Sequence, residues 1–162
     1  MNDPRLEIKP EPYDGPVAAR LIAAVQAEYV QRYGGPDDAP IDGVEFAPPH
    51  GRFLVGYYDG EPVAMGGVRR HESDAVEIKR MYVVPAVRGR GLSRLMLAAL
   101  EDAARDLGAV RVVLETGQRQ PEAMSLYATS GYERIDGYGH YKCAPLSVSY
   151  GKRLDRPGVT IE

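Results

Sequence analysis

The segment Glu77–Ser93 constrains the fold of this chain more than any other part of its sequence. It begins with an apolar run that is rich in β-branched residues and ends at Pro85, because proline cannot donate a hydrogen bond to a sheet. Gly89 and Gly91 follow beside two arginines, and a helix pattern starts at Leu92. A strand, a glycine loop and a helix in this order can bind an anion, since the loop amides and the positive end of the helix face the same point.

An ordinary strand-to-helix connection with a solvated basic face would show the same pattern. Two common phosphate motifs are absent from the sequence. There is no Gly-x-x-x-x-Gly-Lys-Ser/Thr, which a nucleoside triphosphate site would use, and no Gly-x-Gly-x-x-Gly, which marks a dinucleotide site. The loop therefore predicts an anion site of another kind, if it binds an anion at all.

The run Arg88–Ser93 resembles the Arg/Gln-x-x-Gly-x-Gly/Ala signature of the GNAT acyltransferase superfamily. Ser93 departs from that signature, although serine is still small enough for close packing of the loop. The resemblance covers roughly residues 55 to 154. The other matching segments, in the family's order, are Met81-Tyr82-Val83, Leu126-Tyr127 and Gly131-Tyr132.

The resemblance implies an N-acetyltransferase that takes its acetyl group from acetyl-CoA (coenzyme A) as co-substrate, without a metal. Tyr127 would lie near the cofactor sulfur as the general acid. Gln120 stands where the family often has an asparagine that contacts the cofactor, and the longer amide weakens this expectation. The main chain of Met81, Tyr82 and Val83 would bind the pantetheine amides. The main-chain amides that would hold the diphosphate belong to Arg88, Gly89, Arg90, Gly91, Leu92 and Ser93, with Arg88, Arg90 or Arg94 adding positive charge.

Glu77 is the residue that we expect to act as the base. It precedes the apolar part of the central strand, where a partly buried carboxylate could take a proton from an amine through water. A surface position paired with Lys79 or Arg69 explains the same residue nearly as well, and the sequence leaves both open. No serine or cysteine has the surroundings of an activated nucleophile, so direct attack of the amine on the thioester is expected.

Charge and cysteine content restrict the remaining function classes. The net charge of −3 and the pI of about 5.7 argue against nucleic acid as a partner. Cys143 is the single cysteine, which excludes an internal disulfide framework and favours a cytoplasmic protein. We expect no secretory signal at Met1–Pro4 and no membrane span, because no apolar run is long enough. The three histidines lack metal-ligand spacing.

The order of predicted elements is β-α-(loop)-β-β-β-α-β-α-β-β. It indicates one α/β domain over residues 1–162, with a frayed tail from about 155. The same order is seen in the GNAT fold, and this resemblance implies a mixed, mostly antiparallel, twisted sheet with helices on both faces. Asp14 is expected to cap the first helix, at Val17–Tyr33, and Asp59-Gly60 predicts a hairpin turn. The other predicted elements are strands at 6–9, 52–58, 61–69, 75–84, 110–115, 132–135 and 147–154, helices at 92–107 and 121–130, and a helical turn at 44–46.

In the predicted central strand, the alternation of buried and exposed positions shifts by one residue near Lys79-Arg80. Val76 and Ile78 indicate one buried face, whereas Met81 and Val83 indicate the other. A β-bulge would produce this slip and would splay the strand from its neighbour, opening a slot in the sheet. Burial of both faces would explain the pattern equally well.

The amine acceptor, a small molecule or a peptide, is expected between the segment Gly34–Phe46, the Glu77 strand and the loop Gly137–Lys142. Four acids, Asp37, Asp38, Asp42 and Glu45, weakly favour a cationic amine, and His140 would border this pocket. A catalytically silent acyl-CoA sensor or scaffold is the alternative, because it needs the loop but neither Glu77 nor Tyr127. The sequence leaves both a monomer and a homodimer open.

Overall fold

The structure, a computed structural model, describes residues 6–154. The expectations for Met1–Pro4 and for a frayed tail at 155–162 fall outside this range. The strands are β1 (Leu6–Pro10), β2 (Gly51–Tyr58), β3 (Glu61–Glu72), β4 (Ala75–Val83), β5 (Arg111–Gly117), β6 (Glu133–Ile135) and β7 (Ser147–Arg153). The helices are α1 (Pro16–Tyr33), α2 (Leu92–Asp106) and α3 (Pro121–Ala128), with short 3₁₀ turns at Gly43–Phe46, Pro85–Val87 and Gly139–Tyr141.

The seven strands form one sheet in the order β1-β2-β3-β4-β5-β7-β6. Every neighbouring pair is antiparallel except β4 and β5, which run parallel. The parallel pair needs a long crossover connection, and α2 supplies it. The predicted mixed, mostly antiparallel sheet is therefore confirmed.

The hairpin between β2 and β3 turns where the sequence predicted it. Asp59 and Gly60 both have positive φ, at 50° and 82°. Two left-handed residues in a row are typical of the type I′ turn, whose twist matches that of the flanking strands.

The predicted cap of α1 is wrong. Gly15, and not Asp14, is the N-cap residue, and no side chain among residues 6–154 caps this end of the helix. Pro16 is the first helical residue, where its missing N–H leaves no helical hydrogen bond unmade and its fixed φ suits the helix. At the other end Gly34 adopts the left-handed conformation, with φ at 82°, and the helix ends at Tyr33 as predicted.

Helices cover both faces of the sheet. On one face α2 and α3 bury a cluster that includes Met96, Leu100 and Leu126 against β3, β4 and β5. On the other face α1 packs Leu21 and Val25 against a second cluster that contains Phe46, Phe53 and Met65. Strand β4 is therefore covered on both sides, which accounts for its nearly continuous burial.

Strand β4 also contains the bulge. A bulge and burial of both faces, the two explanations for its shifted hydrophobic pattern, are therefore both true. The register with β3 shifts between Met65–Tyr82 and Gly67–Lys79, and Arg80 has a φ of +59°. The pairing of β4 with β5 ends at Ile78 and Leu114. Beyond that pair the two strands separate, which confirms the splayed central pair.

Within residues 6–154, no helix is long and apolar enough to cross a membrane.

Candidate active site

The glycine loop and the start of α2 form one end of a cavity of about 520 Å³. Gly89 and Gly91 have φ of +84° and +76°. Apart from their neighbours in the chain, no atom of residues 6–154 lies within 4 Å of the place where a Cβ would stand on either residue. Gly91 is the N-cap of α2, and no acidic residue lies in the first turn of this helix. The positive end of the helix therefore has no carboxylate in its own first turn and lies beside open space, as an anion site requires.

Of the three arginines near this loop, Arg88 lines the cavity. Its Nε donates to the carbonyl of Val83 at 2.9 Å, and its Nη2 donates to Glu28 Oε1 at 2.8 Å. Arg90 instead lies over the ring of Tyr58, and Arg94 donates to Thr129 Oγ1 at 2.7 Å. The structure therefore brings one of the three predicted phosphate-binding side chains to the cavity.

The splay between β4 and β5 forms the middle of the cavity. Because β5 pairs with β4 only as far as Ile78, the main chain of Met81–Val83 has no strand beside it on that side. All three residues of this segment line the cavity. An extended ligand with amide groups could bind along this edge as an added strand would.

Tyr127 lies inside the same cavity on α3, with 6% of its surface exposed. Burial raises the pKa of its hydroxyl well above the ordinary value, and nearby Tyr29 adds to the effect. Its ring contacts Tyr132 and Tyr150 at centroid distances of 5.6 and 5.8 Å. The hydroxyl makes no hydrogen bond to any other residue of 6–154, so it remains protonated and free to donate to a ligand.

Gln120 is the N-cap residue of α3 and also lines the cavity. Its Oε1 accepts a hydrogen bond from the hydroxyl of Tyr33 at 3.1 Å. This contact joins the end of α1 to the start of α3 across the splay. Gln120 is therefore close to the space that the predicted contact requires, although its carbonyl oxygen is occupied.

A second cavity of about 290 Å³ adjoins the first. Lys79, Glu115 and Tyr141 line both cavities and thus form the wall between them. The three segments predicted to surround the acceptor all contribute to the second cavity. Its lining residues are Ala39, Pro40, Glu45, Arg69, Arg70, His71, Glu77, Lys79, Glu115, Tyr138, Gly139, His140 and Tyr141.

Glu77 is buried, with 6% of its surface exposed, and it is also paired with Arg69. Its Oε1 accepts from Arg69 Nε and Nη2, both at 2.9 Å, and its Oε2 accepts from Tyr138 at 2.8 Å. The two alternatives left open by the sequence are thus combined in one residue. Glu77 lines the second cavity but not the first, and both of its carboxylate oxygens are occupied.

Glu115 is a candidate that the sequence interpretation missed. In the parallel register Glu77 lies beside Val113, so Glu115, two residues further along β5, is on the same face of the sheet as Glu77. Burial, together with the Glu77 carboxylate, raises the pKa of Glu115 to about 7, and the Lys79 ammonium opposes the rise. A single acid after the apolar run Val112–Leu114 was the signal that could have identified it.

The four acids expected to attract a cationic amine are engaged within the protein. Asp42 caps the 3₁₀ turn at Gly43–Phe46, and Glu45 pairs with Arg69 at 3.2 Å. Asp37 contacts Lys79 and Arg80, and Asp38 contacts His140 at 3.0 Å. Burial would raise the pKa of Asp37, but the Lys79 ammonium and the hydrogen bond from Tyr141 lower it below its ordinary value. Asp37 and Glu45 are therefore each paired with a cation before any acceptor binds.

The fold, the glycine loop and the two adjoining cavities define an acyl-thioester-dependent transferase. Residues 19–132 match the model of the acetyltransferase (GNAT) family, so the chain belongs to this family. The uncharacterized N-acetyltransferase YjgM of Escherichia coli (strain K12) is 35% identical over 143 residues, which cover 80% of this chain and 85% of that protein.

Solved structures have the same fold. An acyl-CoA N-acyltransferase structure from Klebsiella pneumoniae subsp. pneumoniae MGH 78578 superposes with a TM-score of 0.78 at 30% identity, covering 93% of this chain and 98% of that one. A GNAT acetyltransferase from Elizabethkingia anophelis, solved with acetyl-CoA bound, has a TM-score of 0.69 at 16% identity, covering 94% and 100%. The chain is an acetyl-CoA-dependent acyltransferase.

Proposed function

We propose that this protein moves the acetyl group of acetyl-CoA to a primary amine of a small molecule or peptide by direct attack. The observation that carries the proposal is the continuous cavity. Its lining includes four residues of the loop and the helix start, the segment Met81–Val83 of β4, and Tyr127, and it shares a wall with a second cavity. The four residues are Gly89, Gly91, Leu92 and Ser93. Such a path fits a diphosphate, an arm with amide groups and a thioester, in that order.

The residues of the chain fit acetyl-CoA without rearrangement of the loop. The open space before Gly89 and Gly91 leaves room for phosphate oxygens beside the amides, and the start of α2 supplies positive charge. The uncovered main chain of Met81–Val83 would bind the amide groups of the arm. When bound, acetyl-CoA supplies an activated acetyl group.

Tyr127 would stabilise the departing thiolate. A thiol with a pKa of about 8.5 leaves as an anion, and a phenol that stays protonated can donate a hydrogen bond to it. Because burial holds the pKa of Tyr127 high, donation of a hydrogen bond is a better description of its role than rapid loss of its proton.

Two carboxylates remain candidates for the base. Glu77 stays a prediction from the sequence, but its oxygens accept hydrogen bonds from Arg69 and Tyr138. Glu115 lines both cavities, and its pKa of about 7 suits a group that takes a proton from an ammonium near neutral pH. We therefore favour Glu115 as the base, with Glu77 holding Arg69 and Tyr138 in place.

Family membership favours turnover over the sensor or scaffold alternative. A cytoplasmic location also remains a proposal, supported by the single exposed cysteine and the absence of an internal disulfide.

Calorimetric titration with acetyl-CoA, followed by detection of free thiol with a library of amines, tests the proposal. We expect uptake of one acetyl-CoA per chain and thiol release with at least one amine. Uptake without release on any amine would support the sensor, and no uptake would refute the role of the glycine loop.

A further inference from the structure

Lys79 and Arg80 place two cations beside a single carboxylate at the inner end of the larger cavity. Lys79 Nζ and Arg80 Nη1 contact the same atom, Asp37 Oδ2, at 3.2 and 3.1 Å. The three side chains are 12%, 5% and 14% exposed, in that order. Because a charge is expensive to bury without a partner, this cluster carries one positive charge that an anionic ligand would balance.

The donors of these two cations are only partly used. Arg80 Nε is buried and has no hydrogen-bond partner among residues 6–154. Lys79 has three donor hydrogens, and within the same range it makes one hydrogen bond, to Asp37. Both residues line the larger cavity, and Lys79 also lines the smaller one. Since Arg80 Nε is itself fully buried, Arg80 contributes mainly its positive charge, whereas the unused donor hydrogens of Lys79 are available to a ligand in either cavity.

Glu115 does not fully cancel this positive charge. Glu115 is the carboxylic acid in the wall between the cavities. With a pKa of about 7 it carries its proton in a large fraction of molecules at neutral pH. Lys79 is close enough to act on that pKa. The wall therefore places a proton acceptor and a cation side by side, facing a cavity of only about 290 Å³.

We propose that the acceptor is a small amino acid, whose carboxylate binds Lys79 beside the positive charge of Arg80 while its amine faces Glu115. This inference rests on the proposed acetyl transfer and names its substrate class. In an α- or β-amino acid the amine and the carboxylate are one or two carbon atoms apart, which suits adjacent binding groups. A carboxylate could also come from the acyl group of a dicarboxylic thioester. The position of Lys79 on the wall of the second cavity favours a carboxylate of the acceptor over a carboxylate of the acyl group.

The test measures how the unmodified protein acts on matched pairs of acceptors. Free thiol is measured with acetyl-CoA and a set of α- and β-amino acids, each paired with its carboxamide, together with a diamine and with succinyl-CoA as a second donor. We expect kcat/KM to favour the amino acid over its amide by about 10-fold to 100-fold, the range of a charged hydrogen bond. Equal turnover of the amides, a preference for the diamine, or activity with succinyl-CoA alone would overturn the inference.

Two variants provide a second readout. Lys79→Met should remove most of the preference for the carboxylate while the Kd for acetyl-CoA stays unchanged, because the diphosphate binds at the other end of the cavity. Lys9→Met, an exposed lysine on the edge strand β1, is the matched control and should keep the preference. A preference that survives in Lys79→Met also overturns the inference.

Failure of the proposed function gives a different result. If acetyl-CoA binds but no amine releases thiol, acetyl transfer is refuted. The same amino acid and amide pairs are then titrated into protein loaded with coenzyme A. Preferential binding of the amino acids would still support the carboxylate site, and equal binding would overturn it.

Discussion

Glu77 and Glu115 are two carboxylates on one face of the sheet with different surroundings. Glu77 is held by Arg69 and Tyr138, whereas Glu115 is half-buried on the wall between the cavities. Burial and the nearby Glu77 carboxylate raise the pKa of Glu115 to about 7, although the Lys79 ammonium opposes the rise. The different surroundings give the two residues different chemical roles.

Glu115→Gln should lower kcat by about 100-fold or more, since a positioned base typically contributes 10²–10⁴-fold. In the parent, the rate should rise as pH rises through about 7, because the base must lose its proton, and the variant should lack this limb. A pH–rate profile of each protein measures the difference. Glu77→Gln is the matched comparison, and loss of the limb there instead would return the role of base to Glu77.

The raised pKa of Glu115 should also make the free energy of unfolding depend on pH. The folded pKa of Glu115, about 7, lies above its ordinary value of 4.5, so the folded state binds more protons between these two pH values. The stability that this extra proton binding contributes is present below about pH 4.5 and is lost as pH rises to about 7. Urea unfolding at pH 5 and pH 8 should therefore show that Glu115→Gln gains stability relative to the parent at the higher pH.

Tyr127→Phe should lower kcat by about 10-fold to 100-fold, since it removes one hydrogen bond to the developing thiolate. The Kd for acetyl-CoA and the free energy of unfolding should change little, because the hydroxyl has no partner among the described residues. Stopped-flow thiol detection and calorimetry measure the two effects. Unchanged turnover would remove Tyr127 from the mechanism.

At the scale of the element, the bulge in β4 produces the site. The extra residue in β4 gives Arg80 its positive φ and turns its side chain toward Asp37. It also separates β4 from β5 after Ile78, so that main-chain groups are left for a ligand. One irregularity thus opens the slot and supplies a cation at its inner end.

The glycine loop can be tested against a turn of the same conformation. Gly91→Ala and Gly60→Ala each place a Cβ on a residue with φ near +80° and with no atom within 4 Å. Each should lower the free energy of unfolding by about 1 kcal/mol. Only Gly91→Ala should weaken acetyl-CoA binding, because Gly60 lies in the β2–β3 turn. Equal acetyl-CoA affinity in both variants, measured by calorimetry, would refute the loop as the diphosphate site.

At the scale of the whole molecule, one sheet separates two hydrophobic clusters. If residues 1–162 form a single domain, both clusters should unfold together. Met96→Ala on the α2 face and Met65→Ala on the α1 face, both fully buried, should each lower the free energy of unfolding by about 2–5 kcal/mol. Urea unfolding followed by circular dichroism and by tyrosine fluorescence should give one coincident transition, and separate transitions would argue for two units.

Local patterns predicted most of the elements. The hairpin turn, the end of α1 at Gly34 and the start of α2 at Leu92 depend on residues close in the chain, so their positions could be derived from it. The predicted cap at Asp14 was wrong because the helix begins at Pro16, so that Gly15 occupies the N-cap position. Glu115 was missed because its environment comes from β4 and the start of β7, which are distant in sequence.

The amino-acid sequence by itself determined the order of the elements, the family signature at Arg88–Ser93 and the resemblance to an acetyl-CoA-dependent enzyme, since each is encoded in consecutive residues. The tertiary structure decided which charges face one another. It paired Glu77 with Arg69, left Glu115 on the wall between two cavities, and placed Lys79 and Arg80 on one carboxylate. Such pairings depend on register and burial, because the energy of a charge is set by its neighbours in space.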